Sequence, residues 1–347
     1  MPELVTVTGA AGFIAAHVVR ELLERGYRVR GTARRLKQPA EVAHLTGLPG
    51  AAERLTLVEA DLMTPGAFDA AVQGATYVLH TASPYTLDVK DPARDLVDPA
   101  RRGTENVLEA AAQAGGVRRV VVTSSMAAIT DEPGGHHVLT EADWNVKSSL
   151  TRNPYYYSKT VAERAAWAFM AAQKPAFDLV VVNPFMVIGP SLTPGLNTSN
   201  EVFVAILTGA YPGIMNFAWG LVDVRDVALA HVLAATTPPA AGRYICAADT
   251  VSMREVVSIL RLAGYGRYRL PTARLDSALG NTLVVLGSYL RPAGIGAYLR
   301  THVGRVPRYD NGRIQRELGL RFRDVRGTIV ETVADLERWG HLRRPPA

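Results

Sequence analysis

The sequence predicts an α/β protein built on a doubly wound parallel sheet, with a smaller substrate lobe in its C-terminal part. In the first half of the chain, short apolar runs rich in β-branched residues alternate with helical patterns at the spacing of βαβ units. Beyond Gly189 and Pro190 this alternation loosens, and proline and glycine become frequent. We therefore expect a first domain over residues 1–190 and a second mainly over 191–347, with segments such as 221–246 returning to the first domain.

The first predicted element is a strand that leads through a glycine turn into a helix. The apolar run that begins at Leu4 is typical of a buried parallel strand, and the turn Gly9-x-x-Gly12-x-x-Ala15 follows it. Glycine lets the backbone approach a pyrophosphate closely, and the N–H groups and dipole of the helix N-terminus favour its charge. Glycines also occur in ordinary βα turns, but the position at the start of a domain favours a Rossmann-type dinucleotide site.

The second predicted strand, Tyr27–Thr32, ends in a basic segment. In a dinucleotide fold this strand end meets the adenosine ribose, where an acidic residue suits the free 2′-hydroxyl of NAD. The chain instead has Arg34, Arg35 and Lys37 there, and guanidinium groups bind phosphate in bidentate fashion. The alternative is a solvated basic loop. The pattern favours NADP(H), with Arg34 the best placed of the three cations.

The remaining strands and helices continue the alternation. Asp61 and Leu62 follow the third strand, where the acid either accepts a hydrogen bond from the adenine amino group or caps the next helix. The turn Thr81–Pro84 follows the fourth strand, and ligands bind at such carboxyl ends. The predicted strands are Leu55–Glu59, Tyr77–His80, Val120–Thr123, Asp178–Asn183 and Arg243–Cys246. The predicted helices are Leu96–Ala114, Val224–Thr236, Met253–Leu262 and Val325–Trp339.

The composition is that of a globular protein and argues against nucleic-acid binding. Hydrophobic residues make up 48 % and charged residues 20 % of the 347 residues. The net charge is +6, but the basic residues are scattered, and no basic run with interleaved aromatic residues occurs. A diffuse positive charge favours solubility and anionic ligands.

Two local features bear on the cellular compartment and on membranes. Cys246 is the single cysteine and lies in an apolar context, so it cannot form an internal disulfide, and it lacks neighbours with metal-ligand spacing. The apolar stretch from Leu279 to Leu290 is too short to cross a bilayer, and we interpret it as a packing or substrate-covering helix. No signal peptide precedes Leu4. We expect a cytoplasmic protein with no metal and no membrane contact.

The segment Tyr155–Lys159, at the start of a predicted helix, indicates the chemistry. Tyr155 and Lys159 are four residues apart and share one helix face, which the two tyrosines between them do not. An adjacent ammonium stabilises a phenolate and lowers its pKa, so that Tyr155 can exchange a proton with a carbonyl or alcohol oxygen. Ser125, at the end of the fifth strand, is the predicted third member, because its hydroxyl can hold the reacting oxygen. A lone Tyr-x-x-x-Lys is common on helix surfaces, but its combination with the other motifs is much rarer.

Several motifs together indicate a family. They are TGAAGFIAAH (8–17), GTARR (31–35), HTASP (80–84), VVVTSSMAA (120–128), YYYSKTVAE (155–163), VNPFMVIGP (182–190), LVDVRDVALAHV (221–232), GRYIC (242–246) and RELGLRFRDVRGTIVETV (316–333). On these motifs, which extend over essentially the whole chain, the sequence resembles the extended short-chain dehydrogenase/reductases. Within that family it is most similar to the dihydroflavonol reductase-like branch, and closest to the yeast-type NADPH-dependent aldehyde and methylglyoxal reductases.

The resemblance implies a catalytic set of Ser125, Tyr155 and Lys159 and a bound NADPH or NADP+. Tyr155 and Lys159 would also contact the cofactor, and Asn183 would help to shape the nicotinamide pocket. The other implied cofactor residues are Gly9, Ala11, Gly12, Phe13 and Ile14 at the diphosphate, Arg34 and Lys37 at the 2′-phosphate, Asp61 and Leu62 at the adenine, Thr81, Ala82, Ser83, Pro184 and Val187 at the nicotinamide, and Ser199 at the phosphates.

The expected reaction is the NADPH-dependent reduction of an aldehyde or ketone to an alcohol. Hydride passes to the carbonyl carbon, Tyr155 protonates the oxygen and Ser125 orients it. Lys159 assists the tyrosine and hydrogen-bonds the nicotinamide ribose. An apolar lining favours hydrophobic carbonyl substrates, and its candidates are Pro84, Tyr85, Met126, Phe185, Met186 and Trp219.

The sequence leaves three alternatives open. A dihydroflavonol- or hydroxysteroid-type reductase differs only in its pocket. A nucleotide-sugar epimerase or dehydratase shares the fold and the Tyr–Lys pair, but it holds NAD and has an acid after the second strand, which the cations around Arg34 disfavour. A non-catalytic dinucleotide sensor often lacks the Tyr–Lys pair, which is intact here. We expect a monomer or a homodimer.

Overall fold

A parallel sheet forms the centre of the molecule. The computed structural model describes residues 2–36, 39–83, 89–291 and 293–344. Three residues of the predicted sites therefore lie outside the described residues, namely Lys37, Pro84 and Tyr85.

The central sheet has seven strands, and two small sheets lie in the C-terminal part. The strands are β1 (Leu4–Thr8), β2 (Arg28–Ala33), β3 (Leu55–Glu59), β4 (Tyr77–His80), β5 (Arg119–Thr123), β6 (Asp178–Pro184), β7 (Met186–Ile188), β8 (Ile214–Met215), β9 (Ala218–Asp223), β10 (Gly242–Cys246), β11 (Asp249–Ser252) and β12 (Arg274–Leu275). The order across the central sheet is β10-β6-β5-β4-β1-β2-β3, with every neighbouring pair parallel.

The strands of the central sheet are apolar runs, as the sequence predicts. Val5 and Val7 of β1 and residues Val120–Val122 of β5 are buried, because helices cover both faces of a parallel sheet. The bounds of β3 and β4 are the predicted ones, and those of β2, β5, β6 and β10 differ by no more than one residue at either end. β10 comes from the C-terminal part of the chain and pairs with β6. The domain boundary near residue 190 stays a prediction.

Helices cover the two faces of the sheet. The α-helices are α1 (Phe13–Glu24), α2 (Ala43–Thr46), α3 (Ala51–Arg54), α4 (Asp69–Val72), α5 (Asp98–Ala114), α6 (Pro154–Gln173), α7 (Thr198–Leu207), α8 (Val224–Thr236), α9 (Met253–Leu262), α10 (Ala278–Ser288), α11 (Ala293–His302), α12 (Gly312–Leu318) and α13 (Val325–Arg338). Helices α1 and α8 share an apolar core with one face, and α4, α5 and α6 share a core with the other. Short 3-10 turns occur at Pro39–Glu41, Met126–Ala128 and Tyr265–Arg267, and a π-helical turn at Ala93–Val97 leads into α5.

The strand order reverses between β1 and β4, because β2 and β3 lie on one side of β1 and β4, β5 and β6 on the other. In open parallel sheets, ligands bind at the carboxyl ends of the strands beside such a reversal. The described candidates that follow β1, β2, β4 and β5 share this rim. The doubly wound α/β fold that the sequence predicts is confirmed.

The C-terminal lobe has its own apolar core. Strands β11, β9 and β7 form one small sheet, and β12 and β8 form another. Phe203, Phe217 and Trp219 are buried in this core together with side chains of α9 and α13. Helix α10, in contrast, leaves the apolar side chains of Leu279 and Leu283 exposed.

Cys246 is fully buried in β10, and burial raises the pKa of its thiol. The described ranges contain no group of His, Cys, Asp or Glu side chains that could hold a metal ion. None of the helices within the same ranges has both the length and the apolar character that a membrane span requires.

Candidate active site

The glycine turn between β1 and α1 lies against the loop that follows β4. Gly9 has a φ of +64°, a left-handed backbone that favours glycine, and a Cβ there would lie 3.0 Å from Ala82. Gly12 is the N-cap of α1, and its N–H donates to the Gly9 carbonyl at 2.9 Å. The first turn of α1, from Phe13, has no acidic residue, and no described side chain caps it. The N–H groups of this helix end suit a diphosphate. The predicted diphosphate residues Gly9, Ala11, Gly12, Phe13 and Ile14 all lie here.

Hydrogen bonds fix the loop after β4 to the end of β1. The Thr8 hydroxyl accepts from the N–H of Ala82 at 3.1 Å and lies 2.8 Å from His80 Nδ1. The Thr81 hydroxyl donates to the Thr8 carbonyl at 2.5 Å. Burial and, to a smaller extent, the charge of Lys159 lower the pKa of His80 to about 4, so that the ring is neutral at pH 7. The loop that holds the predicted nicotinamide residues is thereby held beside the glycine turn.

Two exposed arginines, Arg34 and Arg35, follow β2, where the adenosine end of a dinucleotide is expected. Sequence reasoning missed the acidic residue beside them. Glu59 ends β3, and its carboxylate accepts a hydrogen bond from the N–H of Leu36 at 3.2 Å. This carboxylate holds the backbone of the basic segment, which extends beyond Leu36 to Lys37, outside the described residues. The register of β2 and β3 sets Ala33 beside Glu59, and this pairing is seen only in the folded sheet.

The predicted adenine residues follow β3. The carboxylate of Asp61 accepts from the N–H of Met63 at 2.8 Å, in the turn directly after β3. The next helix, α4, begins at Asp69 with Phe68 as its N-cap and has no side-chain cap among the described residues, so the alternative capping role of Asp61 is wrong. Leu62 is half-buried, and its carbonyl accepts from Asn106 Nδ2 of α5 at 2.7 Å. Gly103 of the same helix lies so close that a Cβ added there would be 3.1 Å from the Cβ of Leu62. Leu62 therefore packs closely on α5, and an adenine contact of either residue stays a prediction.

Tyr155 and Lys159 lie in the first two turns of α6. Pro154 occupies the first helical position, where a backbone N–H has no helical partner. Lys159 Nζ lies 5.6 Å from the centre of the Tyr155 ring and donates to Ser83 Oγ at 2.8 Å. Burial lowers the pKa of Lys159 to about 8, so that the ammonium is still the main form at pH 7. Tyr155 is 38 % exposed, and its ring is therefore accessible to a ligand.

Ser125 follows β5 and is the N-cap of the short turn Met126–Ala128. Its Oγ accepts from the N–H of Ala127 at 3.1 Å, which leaves the hydroxyl proton and a second lone pair for a ligand. The neighbouring Ser124 is buried, and its hydroxyl donates to Glu163 at 2.5 Å. Of the two serines after β5, Ser125 is therefore better suited to the predicted catalytic role.

A buried ion pair joins α6 to the sheet one helical turn beyond Lys159. Arg243 Nε of β10 lies 2.5 Å from Glu163 Oε1, and neither side chain is more than 7 % exposed. The other carboxylate oxygen accepts from Asn183 Nδ2 at 2.8 Å, and the same Nδ2 donates to the Ser125 carbonyl at 3.2 Å. One carboxylate thus connects the backbone of Ser125 to the helix of the Tyr–Lys pair. Sequence reasoning missed Glu163, because a glutamate four residues after a lysine is an ordinary pattern of helix surfaces.

The remaining predicted cofactor residues lie at the end of β6 and beyond it. Pro184 ends this strand next to Asn183, and Val187 lies in β7; both are buried. Ser199 is half-buried in the first turn of α7, whose N-cap is Asn197. Contact of Ser199 with the cofactor phosphates stays a prediction.

The described residues of the predicted substrate lining fall in two apolar clusters. Met126 packs with Phe185 in a small cluster that includes Tyr309. Met186 and Trp219 belong to the core of the C-terminal lobe. Met126 and Trp219 are buried in this packing, whereas Phe185 and Met186 are half-buried and remain candidates for the lining.

The fold and the rim define a Rossmann-type dinucleotide-binding protein. The chain belongs to the NAD dependent epimerase/dehydratase family, whose sequence model matches residues 5–247. It is 40 % identical over 347 residues to cinnamoyl-CoA reductase 1 of Petunia hybrida, which covers 99 % of this chain and 95 % of that protein. It is 36 % identical over 282 residues to the bifunctional dihydroflavonol 4-reductase/flavanone 4-reductase of Malus domestica, which covers 78 % of each chain.

A solved structure extends the comparison. The yeast methylglyoxal/isovaleraldehyde reductase Gre2, complexed with NADPH, matches with a TM-score of 0.81 and 31 % identity, over 98 % of this chain and 100 % of Gre2. The predicted membership of the extended short-chain dehydrogenase/reductases, in the dihydroflavonol reductase-like branch, is confirmed. The protein is an NAD(P)-dependent reductase of the dihydroflavonol and cinnamoyl-CoA reductase type.

Proposed function

We propose that the protein reduces hydrophobic aldehydes or ketones to alcohols with NADPH. The observation that carries this proposal is the position of Lys159, whose ammonium lies near the Tyr155 ring and donates to Ser83. It connects an accessible tyrosine to the loop that is held beside the glycine turn. This arrangement supports a proton donor next to a dinucleotide site.

The residues around the glycine turn fit a bound NADPH. The turn has no side chain at Gly9, where a Cβ would lie against Ala82, and the N-terminus of α1 offers N–H donors to a diphosphate. The guanidinium of Arg34 would bind the 2′-phosphate. When bound, NADPH supplies the hydride that reduces the carbonyl carbon.

Tyr155 is the proposed proton donor. The carbonyl carbon gains a hydride, the carbonyl oxygen gains the proton of the Tyr155 hydroxyl, and the alcohol leaves a phenolate behind. The ammonium of Lys159 stabilises this phenolate, and the hydroxyl of Ser125 orients the reacting oxygen. The exposure of Tyr155 lets solvent return the proton.

A specific similarity favours a second candidate, the reduction of an aromatic acyl-CoA thioester to an aldehyde. The relative from Petunia hybrida is named a cinnamoyl-CoA reductase and is similar over almost the whole chain. In that reaction Tyr155 would protonate the carbonyl oxygen after hydride addition. The carbon–sulfur bond would then break, and the proton would end on the released thiol as the aldehyde forms.

NADPH absorbance tests the reaction with aromatic aldehydes, β-keto esters and cinnamoyl-CoA as substrates. We expect turnover of carbonyl compounds, and a loss of kcat on the order of 10²–10⁴-fold in Tyr155→Phe with NADPH binding retained. Tyr157→Phe is the matched control, because this tyrosine does not share the helix face of Lys159. Full activity of Tyr155→Phe would contradict the proposal, and turnover of the thioester alone would select the second candidate.

Cofactor preference tests the assignment of Arg34. In Arg34→Ala we expect the KM for NADPH to rise roughly tenfold while the KM for NADH stays the same, because only NADPH carries the 2′-phosphate. The KM for NADPH of Arg35→Ala shows how much the neighbouring arginine contributes to binding the 2′-phosphate. An unchanged KM for NADPH in both variants would count against an NADP site at this strand end.

A further inference from the structure

The C-terminal lobe contacts the start of α6 through helix α11. His302, the last residue of α11, is buried, and its Nε2 lies 3.1 Å from the Tyr156 hydroxyl. The Tyr156 ring meets the Tyr155 ring edge to face, with centres 6.0 Å apart. Tyr298 stacks on His302 with centres 4.1 Å apart, and its hydroxyl accepts from Trp219 Nε1 at 3.1 Å. A continuous chain of side chains thus runs from the core of the C-terminal lobe to Tyr155.

The partners of His302 determine the direction of its hydrogen bond to Tyr156. Nδ1 lies 3.1 Å from the Tyr298 carbonyl, which can only accept, and 2.9 Å from the Thr301 hydroxyl, whose own proton is donated to the Ala297 carbonyl at 2.9 Å. Both contacts are satisfied when Nδ1 carries the ring proton. Burial lowers the pKa of His302 to about 4, and the ring is neutral at pH 7. Nε2 therefore accepts from the Tyr156 hydroxyl. Burial also raises the pKa of Tyr156, so that it remains a phenol and a donor.

A second contact from α11 fixes the backbone at the same helix end. Asn153, the N-cap of α6, has a φ of 49°, a left-handed conformation that is uncommon outside glycine. Its Nδ2 donates to Thr301 Oγ1 at 3.2 Å and to Asp131 Oδ2 at 3.4 Å. Because Thr301 and His302 are adjacent on α11, this helix holds both the N-cap of α6 and the side chain of Tyr156.

We propose that Tyr156 and His302 are positioning residues that hold the Tyr155 ring in its reactive orientation. This inference rests on the proposed role of Tyr155. Consecutive residues of a helix point in different directions, so Tyr156 can anchor in the C-terminal lobe while Tyr155 stays beside Lys159. Orientation matters to the rate, because a misplacement of about 1 Å can cost about 10²-fold.

The most conservative variant for testing this inference removes only the hydroxyl of Tyr156. Tyr156→Phe keeps the ring against Tyr155 and loses only the hydrogen bond to His302. We expect kcat to fall about tenfold, with the Kd for NADPH unchanged within a factor of about two. Tyr157→Phe is the matched control and should leave kcat unchanged. A kcat of Tyr156→Phe equal to that of the control, or a fall matched by weaker NADPH binding, would overturn the inference.

Variants of His302 separate positioning from stability. His302→Gln keeps an acceptor near the place of Nε2 and should retain kcat, whereas His302→Leu should lose about as much as Tyr156→Phe. His302→Leu also leaves the Tyr156 hydroxyl without its partner, which lowers Tm. Tyr156→Phe combined with His302→Leu removes both polar groups and should restore Tm, but not kcat. If kcat recovers together with Tm, the contact is structural only, and the inference fails.

Tyr155→Phe, assayed in parallel, distinguishes this failure from a failure of the proposed function. If Tyr155→Phe is inactive while Tyr156→Phe and His302→Leu are normal, the positioning role alone is wrong. If Tyr155→Phe is fully active, the proton donor has been misassigned, and the positioning role fails with it.

Discussion

The two lobes position the candidate site in different ways. In the nucleotide-binding half, the main chain sets the positions, because parallel strand ends and a left-handed glycine turn bring Gly9, Ala82 and Ser125 to one rim. In the C-terminal lobe, side chains set them, because Tyr298 and His302 reach α6 by ring stacking and single hydrogen bonds. Main-chain positioning follows from repeated local patterns, whereas side-chain positioning depends on which residues meet in the folded chain.

The largest effect is expected where the buried pair of Glu163 and Arg243 joins α6 to β10. Arg243→Met leaves the Glu163 carboxylate buried without its cation, and we expect the free energy of unfolding to fall by about 3–5 kcal/mol. Arg25→Met is the control, because Arg25, the C-cap of α1, forms a partly exposed pair with Glu21, and such pairs contribute about 0–1 kcal/mol. Urea denaturation measures both. Equal losses in the two variants would mean that the buried pair does not stabilise the junction.

The variant Gly9→Ala tests whether the main chain of the glycine turn positions the cofactor. Gly9 and Gly26 have φ values of +64° and +83°, so alanine at either position should cost about 1–2 kcal/mol of stability. Only at Gly9 would the added methyl meet another residue, Ala82 at 3.0 Å, whereas nothing lies within 4 Å at Gly26. We expect Gly9→Ala to weaken NADPH binding roughly tenfold, or about 1.4 kcal/mol, and Gly26→Ala to leave it unchanged. Equal NADPH affinities, measured by fluorescence titration, would contradict the diphosphate role.

The same difference explains what could be predicted from the sequence. The strands, the glycine turn and the family motifs are local patterns, and the fold they predict is the one observed. Glu59, Glu163 and His302 were missed because each acts through a partner distant in the sequence, at Leu36, Arg243 or Tyr156. Periodicity identifies the buried face of an element but not the side chain that it meets.

The predicted substrate lining illustrates the same limit. Met126 follows β5 and Trp219 lies in β9; both are apolar, yet both are buried in packing. An apolar residue at the right place in a sequence is more often part of a core than of a pocket. Phe185 and Met186, which are half-buried, differ from them only in exposure, and exposure is a property of the tertiary structure.

The fall of activity at alkaline pH tests the role of Lys159, which contacts both the loop after β4 and the Tyr155 ring. Burial lowers the pKa of Lys159 to about 8, so the ammonium that the mechanism needs is present below this pH and is lost as the pH rises through it. We expect kcat/KM for NADPH, which reports the free enzyme, to be about tenfold lower at one pH unit above this pKa. Lys159→Arg should remove the fall near pH 8, because a guanidinium keeps its charge. If kcat/KM of Lys159→Arg still fell near pH 8, the titrating group would be a residue other than Lys159.

The smallest effect is expected on α10, because apolar side chains of this helix are exposed. Leu283 is 54 % exposed, whereas Leu260 of α9 is fully buried in the same lobe. Leu283→Ala should change the free energy of unfolding by less than about 0.5 kcal/mol, and Leu260→Ala should lower it by about 2–5 kcal/mol. A large loss in Leu283→Ala that grew weaker at higher protein concentration would instead mean that α10 is covered by a second copy of the chain. Of the two interpretations of this apolar stretch, a packing or a substrate-covering helix, the packing helix would then apply, with the packing between two molecules.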